Sequence, residues 1–263
     1  MPHASEATVA DCERGAPPRT KIIACRVFAE ELRPLLPEGV AVEMLEISLH
    51  ERPRALGETL QERIDASAGE WDTIILGYGM CSQAVVGLHA NGCTLVMPRV
   101  HDCIGMFLGS TAAQRAQLAQ EPGTYFLTKG WIGSGVTTPF SAYDSMCERW
   151  GVERADRVLN AMLRHYRRLA FIRTGDDDAE LAAARAQAQA MAERFSLVYD
   201  EIEGSDELVR QLLYGPWDAR YIVVPPGETV PLAAFLGSGD GALTCRPQAA
   251  SAEVSVLDAA TGR

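Results

Sequence analysis

The residues of this sequence that are best suited to metal chemistry all end or follow short apolar runs that are typical of buried strands. They are Cys25, His50, Cys81, His101 and Cys103. Thiolates and imidazoles are the ligands that zinc and iron–sulfur clusters take from proteins. Ligands bind at the carboxyl ends of the strands in an open parallel sheet, so we expect these side chains to converge there. The sequence therefore predicts a metal site lined by cysteine and histidine.

The predicted site divides into metal ligands and proton carriers. We assign the metal to the three cysteines, and His50 is a further ligand, a proton carrier or simply the polar end of a strand. His101 and Cys103 point the same way only if the backbone turns between them, so one of them is expected to bind the metal and the other to support it. Asp102 would orient the neighbouring histidine. His50, His101 and Asp102 are therefore the candidate catalytic residues.

Each cysteine also has a simpler interpretation as a small apolar residue of the core. The shared position at strand ends favours metal binding by Cys25, Cys81 and Cys103. Thiol chemistry without a metal and plain packing stay open as alternatives. We interpret the remaining cysteines as packing or tail residues; they are Cys12, Cys93, Cys147 and Cys245.

A glycine-bearing segment, Gly77-Tyr78-Gly79-Met80-Cys81-Ser82, follows the third predicted strand. Backbone N–H groups near a helix start suit an anion or the sulfides of a cluster. Gly77, Gly79 and Ser82 are therefore candidate cofactor-binding residues, although the segment matches a dinucleotide fingerprint poorly. A second glycine-bearing segment, from Lys129 to Gly135, is predicted to be a loop, either a cover for the site or an ordinary connection.

Two metal centres suit three cysteines on separate strands. One is a [4Fe-4S] cluster with one iron open to substrate. The other is tetrahedral zinc, with His50 or His101 as a fourth ligand. Zinc sites commonly draw a closely spaced cysteine pair from one turn, and Cys25, Cys81 and Cys103 include no such pair. This spacing slightly favours the cluster.

The elements that position these residues alternate between strands and helices. Predicted strands cover Lys21–Cys25, Val40–Leu49, Thr73–Leu76, Thr94–Met97, Gly123–Thr128, Leu169–Arg173, Leu197–Ile202 and Tyr221–Val224. Helical spacing follows Pro53 and recurs after Gly151. Alternation of this kind predicts an α/β fold: two Rossmann-like lobes with mainly parallel sheets and a cleft at the carboxyl ends of the strands.

The sequence divides into tails and lobes, and its composition limits the compartment and the partners of the protein. We predict a disordered tail over 1–20, a metal-binding α/β lobe over 21–150, a second α/β lobe over 151–247 and a loose tail over 248–263. The first segment does not resemble a secretory signal, and no apolar run is long enough to span a bilayer. A net charge of −11 argues against nucleic acid as a partner. Seven cysteines without an export signal favour the reducing cytoplasm. A homodimer is compatible with a protein of this size.

Three segments resemble a prokaryotic family of unknown function whose members are often encoded near corrinoid-dependent methyltransferases of methylamine metabolism. The segments are Gly77–Ser82, Pro98–Cys103, and Pro122–Thr128 with Gly130-Trp131. The resemblance covers roughly Lys21–Val224, and His101-Asp102-Cys103 is its most specific part. It implies that the candidate ligands form one site in a one-carbon or corrinoid context, but it implies no particular activity.

These observations predict a metal-dependent lyase or transferase that binds a small polar substrate between two lobes. A competing hypothesis is a binding or delivery protein that carries a metal or corrinoid to a methyltransferase system. A third is a metal-free α/β protein whose cysteines only fill the core.

Overall fold

The computed structural model describes residues 19–133, 139–175 and 179–236. Within these residues the chain is a mixed α/β protein with a five-stranded and a three-stranded sheet. The predicted tails, apart from residues 19 and 20, lie outside the described residues, as do Cys12 and Cys245. None of the helices in the described part has the length and apolar character that a membrane crossing requires.

The strands agree closely with those expected from the apolar runs. In chain order they are β1 (Thr20–Cys25), β2 (Ala41–Leu45), β3 (Thr73–Gly77), β4 (Thr94–Pro98), β5 (Thr124–Leu127), β6 (Arg168–Arg173), β7 (Val198–Glu203) and β8 (Tyr221–Val224). The first sheet has the order β2-β1-β3-β4-β8, and the second has the order β5-β6-β7. All neighbours pair in parallel except β4 and β8, which are antiparallel. The predicted parallel α/β class is confirmed.

Helices connect and cover the strands. They are α1 (Ala29–Leu32), α2 (Pro53–Asp65), α3 (Cys103–Phe107), α4 (Thr111–Gln120), α5 (Lys129–Gly133), α6 (Pro139–Trp150), α7 (Val152–Leu163), α8 (Ala179–Arg194) and α9 (Glu207–Tyr214). In α2, Pro53 occupies the first turn, where its missing N–H is not needed. Leu56, Leu60 and Ile64 recur every four residues and are fully buried, so this face packs on the sheet.

Two clusters of buried apolar side chains hold the protein together. The larger cluster surrounds the first sheet, and it includes Leu208, Val209 and Leu212 from α9. The smaller cluster packs α7 and α8 against the second sheet through residues such as Leu159 and Leu181. Strands β1, β3 and β4 are apolar almost throughout, as expected for parallel strands that are covered on both faces.

Two local predictions were wrong. The second strand ends at Leu45 rather than Leu49, because the chain turns into a 3-10 helix over Ile47–Glu51. The segment from Lys129 is helix α5 rather than a loop, and the Thr128 hydroxyl caps it by accepting from the Trp131 N–H at 3.1 Å. A Cβ on Gly130 would lie 2.2 Å from the Val27 carbonyl oxygen, so this glycine permits close packing.

The sheets do not follow the predicted boundary near residue 150, which itself stays a prediction. β5 precedes that boundary but pairs with β6. β8 lies far beyond it but pairs with β4 of the first sheet. Apolar runs identify strands but carry no information about which strands become neighbours.

Candidate functional site

The candidate site lies at the carboxyl edge of the first sheet. Cys25 is the last residue of β1, which lies between β2 and β3. The chain crosses from β1 outward to β2 on one side and to β3 and β4 on the other. Such a reversal of strand order opens a crevice at the strand ends, which is where α/β proteins bind ligands.

The segments after β3 and β4 run side by side and bring Cys81 next to the His101–Cys103 turn. The Met80 N–H donates to the Val100 carbonyl at 2.8 Å, and the Cys81 N–H donates to the His101 carbonyl at 2.9 Å. A Cβ at Gly79 would lie 2.9 Å from both the Asp102 nitrogen and the Val100 oxygen. Gly79 is therefore required for this close approach, and its role is steric.

The backbone at Cys81 and the two residues after it has an unusual conformation. Cys81, Ser82 and Gln83 have φ values of 45°, 55° and 69°, so three successive residues other than glycine adopt the left-handed region. Each such residue costs roughly 1–2 kcal/mol relative to a right-handed conformation. Strain of this kind tends to persist at binding and catalytic sites, where the surrounding structure enforces it.

The three site cysteines are buried in one neighbourhood. Cys25 is 1% exposed, and Cys81 and Cys103 are each 7% exposed. Burial raises the pKa of Cys25 to about 11 and that of Cys81 to about 12. Burial also raises the pKa of Cys103 well above its usual value, and Asp102, Cys81 and Cys25 raise it further. Cys81 lies beside the turn that leads to Cys103, and Cys25 ends the strand next to β3, so the three thiols lie at one edge of the first sheet.

His50 joins this group from the 3-10 helix after β2. Its Nδ1 lies 3.2 Å from the Ile47 carbonyl oxygen and 3.9 Å from Cys25 Sγ. Because a carbonyl only accepts, Nδ1 carries the proton and Nε2 presents a lone pair. Nε2 is buried and has no hydrogen-bond partner in the described part of the chain. Burial lowers the pKa of His50, so the imidazole is neutral at pH 7.

Tyr78 is a site residue that the sequence analysis missed. Its ring stacks on His50 with centroids 6.1 Å apart and an interplanar angle of 25°. It is 1% exposed. Its hydroxyl is also buried without a hydrogen-bond partner among the described residues. The signal available in the sequence was a polar aromatic between two glycines at a strand end.

Asp102 has a different partner from the one predicted. Its carboxylate accepts from the Ile104 N–H at 2.9 Å and the Gly105 N–H at 3.3 Å, which caps helix α3. The side-chain amide of Gln114 donates to both carboxylate oxygens at 3.0 Å. These bonds orient Asp102 toward the helix rather than toward His101. His101 is half-buried, and its carbonyl accepts from Cys81.

The candidate ligands are cysteine and histidine side chains, which suit soft metals. These side chains are packed in the core, however, and do not surround a central point. Across residues 19–133, 139–175 and 179–236, no three cysteine, histidine or acidic side chains have the spacing of a metal site. Metal binding would therefore require the thiols to turn toward a common centre. Ser82 is exposed at the strained turn, whereas Gly77 is buried against Ala24 of β1.

Comparison with known protein families identifies the family of this chain. The sequence profile of the family described as "Protein of unknown function (DUF1638)" matches residues 44–213, well over half of the 263 residues. The chain belongs to the DUF1638 family. The region shared with DUF1638 proteins contains His50, Cys81 and Cys103, whereas Cys25 and β8 lie outside it. No curated protein and no solved structure matches the chain.

Proposed function

We propose that this protein is a metal-dependent enzyme, a lyase or transferase, whose metal is bound by Cys25, Cys81 and Cys103. The observation that carries the proposal is the position of three buried thiols at one edge of the first sheet, each after a different strand. These thiols lie at the switch point of the sheet, which is where α/β proteins bind their ligands. A strained backbone at Cys81 adds support, since strain is retained where a site needs it.

The chemistry of the donor set fits a thiophilic metal. Metal binding replaces the thiol protons, so a cation stabilises the thiolates that burial otherwise disfavours. The turn at Cys81–Gln83 could supply the required movement, because its left-handed conformation stores strain that a rearrangement releases. We propose a [4Fe-4S] cluster as slightly preferred over zinc, and the bound group would supply an open coordination position for substrate.

His50 has two compatible roles in this proposal. With zinc, its Nε2 lone pair is the natural fourth ligand, because the Ile47 carbonyl fixes Nδ1 as the protonated nitrogen. With a cluster, the same Nε2 is a base that accepts a proton from a bound substrate, since the imidazole is neutral at pH 7. The Tyr78 hydroxyl beside it acts as a proton donor or hydrogen-bond donor only, because burial raises its pKa.

The proposal places the substrate between two Rossmann-like lobes, one centred on each sheet. A small polar molecule is the expected substrate, because a single open metal position binds one oxygen or nitrogen donor. The position of α3 supports this arrangement. The helix begins at Cys103 and reaches toward the second sheet, where the Phe107 carbonyl accepts from the Ser205 N–H at 2.8 Å.

Delivery of a metal or corrinoid to a methyltransferase system is the competing proposal. Burial of all three thiols favours a resident group over one that is handed to a partner, because transfer requires exposed ligands. A corrinoid or one-carbon context, which the family resemblance suggested, is compatible with either role.

The test is to purify the full chain without oxygen and to measure iron, acid-labile sulfide and zinc per chain. The proposal predicts near-stoichiometric metal in the natural protein and its loss in Cys103→Ser. Cys93→Ser is the matched control, since Cys93 is equally buried but lies at the opposite end of β4. A protein that binds no metal, or equal metal content in both variants, would refute the proposed site.

A further inference from the structure

Strand β8 leaves one side of its backbone open at the end of the first sheet. In the sheet that the described residues form, its only neighbour is β4, and the two strands are antiparallel. The Arg99 N–H donates to the Arg220 carbonyl at 2.7 Å, and Pro98 and Tyr221 are the next pair in this register. Bonded and non-bonded pairs alternate in an antiparallel ladder, so Tyr221 and Val223 turn their N–H and C=O groups away from β4.

The outward groups of Val223 are the ones that lack a partner. The Tyr221 N–H donates to the Asp218 carbonyl at 3.0 Å, and the Tyr221 carbonyl accepts from the Arg99 guanidinium at 3.5 Å. Within the described chain, no group bonds the N–H or the carbonyl of Val223. The Val223 side chain is also 45% exposed. This edge therefore presents one donor, one acceptor and one apolar side chain to another strand.

The other three edge strands of the two described sheets do not have this combination. β2 carries Glu43. β5 has no exposed side chain. β7, with the sequence VYDEIE, exposes Val198 but carries three acids. Charged side chains at a sheet edge oppose pairing with another chain, and β8, with the sequence YIVV, has none.

A groove of about 440 Å³ follows this open edge. β8 lines it together with the turn before the strand, which includes Trp217, and the segment after the strand, which includes Pro231 and Ala234. The later segment carries two further exposed apolar side chains, Leu232 at 39% and Leu236 at 63%. Apolar side chains that are grouped around an open strand edge mark a contact with another protein chain.

Two side chains of opposite charge lie at the two ends of the edge. Arg99 reaches the beginning of β8, where its guanidinium contacts the Tyr221 carbonyl. Glu228 lies just beyond the end of β8, beside Pro225, whose carbonyl accepts from the Glu228 N–H at 3.1 Å. Both side chains line the groove, and neither forms an ion pair with another residue of the described chain. When two such edges pair in antiparallel fashion, the beginning of one lies opposite the end of the other, so Arg99 of each copy faces Glu228 of the other.

We infer that two copies of this protein pair through their β8 edges and join their five-stranded sheets into one continuous sheet. Val223 of each copy pairs with Val223 of the other, and two N–H···O=C bonds cross the two-fold axis. Arg99 and Glu228 pair at each end of the contact. Pro225 has no N–H and ends the ladder, so the contact closes as a dimer.

A second copy fits this edge better than an unrelated strand, because the two charges occur in reverse order when the edge is turned around its own axis. The inference goes beyond the proposed function and does not depend on it, since β8 and the segment after it carry none of the candidate metal ligands.

The test is sedimentation velocity of the full chain at rising concentrations, compared with Val223→Pro. The natural protein should dimerise. The substitution removes an N–H that does not bond β4, and by symmetry it removes both bonds across the axis. It should weaken dimerisation about tenfold or more. An equally tight dimer in the variant would overturn the inference. So would a natural chain that stays monomeric at about 100 µM, since standard-size interfaces have micromolar or smaller dissociation constants.

Val223→Lys keeps the test valid if proline disturbs the strand. Its side chain is exposed in the single chain, whereas in the dimer two like charges meet at the axis, so this variant should also weaken dimerisation about tenfold or more. Val198→Lys on β7 is the matched control, since Val198 is likewise an exposed valine of an edge strand. The control should dimerise as the natural protein does. Equal dimerisation by Val223→Lys and Val198→Lys would overturn the inference.

Exchange of the two charges tests the register of the pairing. Arg99→Glu and Glu228→Arg each place like charges opposite one another at both ends of the contact, and each should weaken dimerisation about fivefold. The double variant restores opposite charges and should recover most of the affinity. A double variant that dimerises no better than the single variants would overturn this pairing.

Hydrogen exchange at the Val223 amide distinguishes a second copy from any other occupant of the groove. Protection that rises with protein concentration supports the dimer. Protection that is the same at every concentration would mean that a segment of the same chain covers the edge, and it would overturn the inference.

Discussion

Burial governs the chemistry of the three site cysteines. A thiolate in an apolar surrounding without a cation is unfavourable, so each thiol stays protonated and its pKa is raised. A bound metal reverses this preference, because it replaces the protons and supplies the missing positive charge. The same burial that makes the cysteines inert as free thiols would therefore favour a metal over protons in the proposed site.

The raised thiol pKa values predict how stability depends on pH. In metal-stripped protein, folded Cys25 holds its proton to higher pH than it does in the unfolded chain. The resulting stability is complete below the ordinary thiol pKa of about 8.5 and is lost as pH rises toward the folded value of about 11. Urea unfolding between pH 8 and 10 should show a falling free energy of unfolding. The fall should be shallower in Cys25→Ala, and parallel slopes would contradict this assignment.

The turn at Cys81–Gln83 is the most strained element beside the site. Gln83 is exposed, so its left-handed backbone is the main thing that a substitution there changes. Gln83→Gly should raise the free energy of unfolding by about 0.5–1 kcal/mol, because glycine adopts this region without penalty. Glu62→Gly in helix α2 is the control and should lower it by about 1 kcal/mol. Destabilisation by Gln83→Gly in chemical denaturation would show that the turn is not strained.

The paired segments after β3 and β4 give a second prediction at this scale. Gly79→Ala would push a methyl group to 2.9 Å from the Asp102 nitrogen and separate the two segments. We expect a loss of stability of about 1–3 kcal/mol, since overpacking of this kind forces backbone shifts, together with weakened metal retention. Gly133→Ala adds a methyl group where no atom lies within 4 Å, and should change neither. Thermal melts and metal analysis of the two variants decide the matter.

The sequence predicts elements better than it predicts the turns between them. β1, β3 and β4 were placed within one residue at each end, because buried parallel strands are apolar throughout. Helix α4 escaped prediction, since its sequence TAAQRAQLAQ has no clear apolar face. The left-handed turn at Cys81 also escaped it, because none of its three residues is a glycine. The ligand edge was predictable from the strands, but the orientation of Asp102 depends on Gln114, which is distant in sequence.

The fold of the described residues depends on their last strand, β8. β8 and α9 come from the far end of the described chain, yet they complete the first sheet and its core. The Tyr214 hydroxyl donates to the Leu35 carbonyl at 2.7 Å, which ties α9 to the beginning of the chain. The first sheet, and with it the candidate metal site, therefore depends on elements from the far end of the described chain.

This assembly predicts that the first half does not fold by itself. A chain that ends after Trp150 lacks β8 beside β4 and lacks β6 beside β5, so it leaves two strand edges unpaired. Its far-UV circular dichroism should resemble that of an unfolded chain, whereas the full chain should melt in a single cooperative transition. A cooperative melt of the fragment would mean that the first 150 residues form an independent domain.

The claim that three cysteines bind one metal is tested most directly by X-ray absorption at the metal edge. The full chain is loaded with iron and sulfide, or with zinc, and compared with Cys103→Ser treated in the same way. The account predicts sulfur neighbours around the metal, at about 2.3 Å if it is zinc, and fewer of them or no bound metal in the variant. A metal surrounded only by nitrogen and oxygen, or an unchanged sulfur shell in Cys103→Ser, would contradict it.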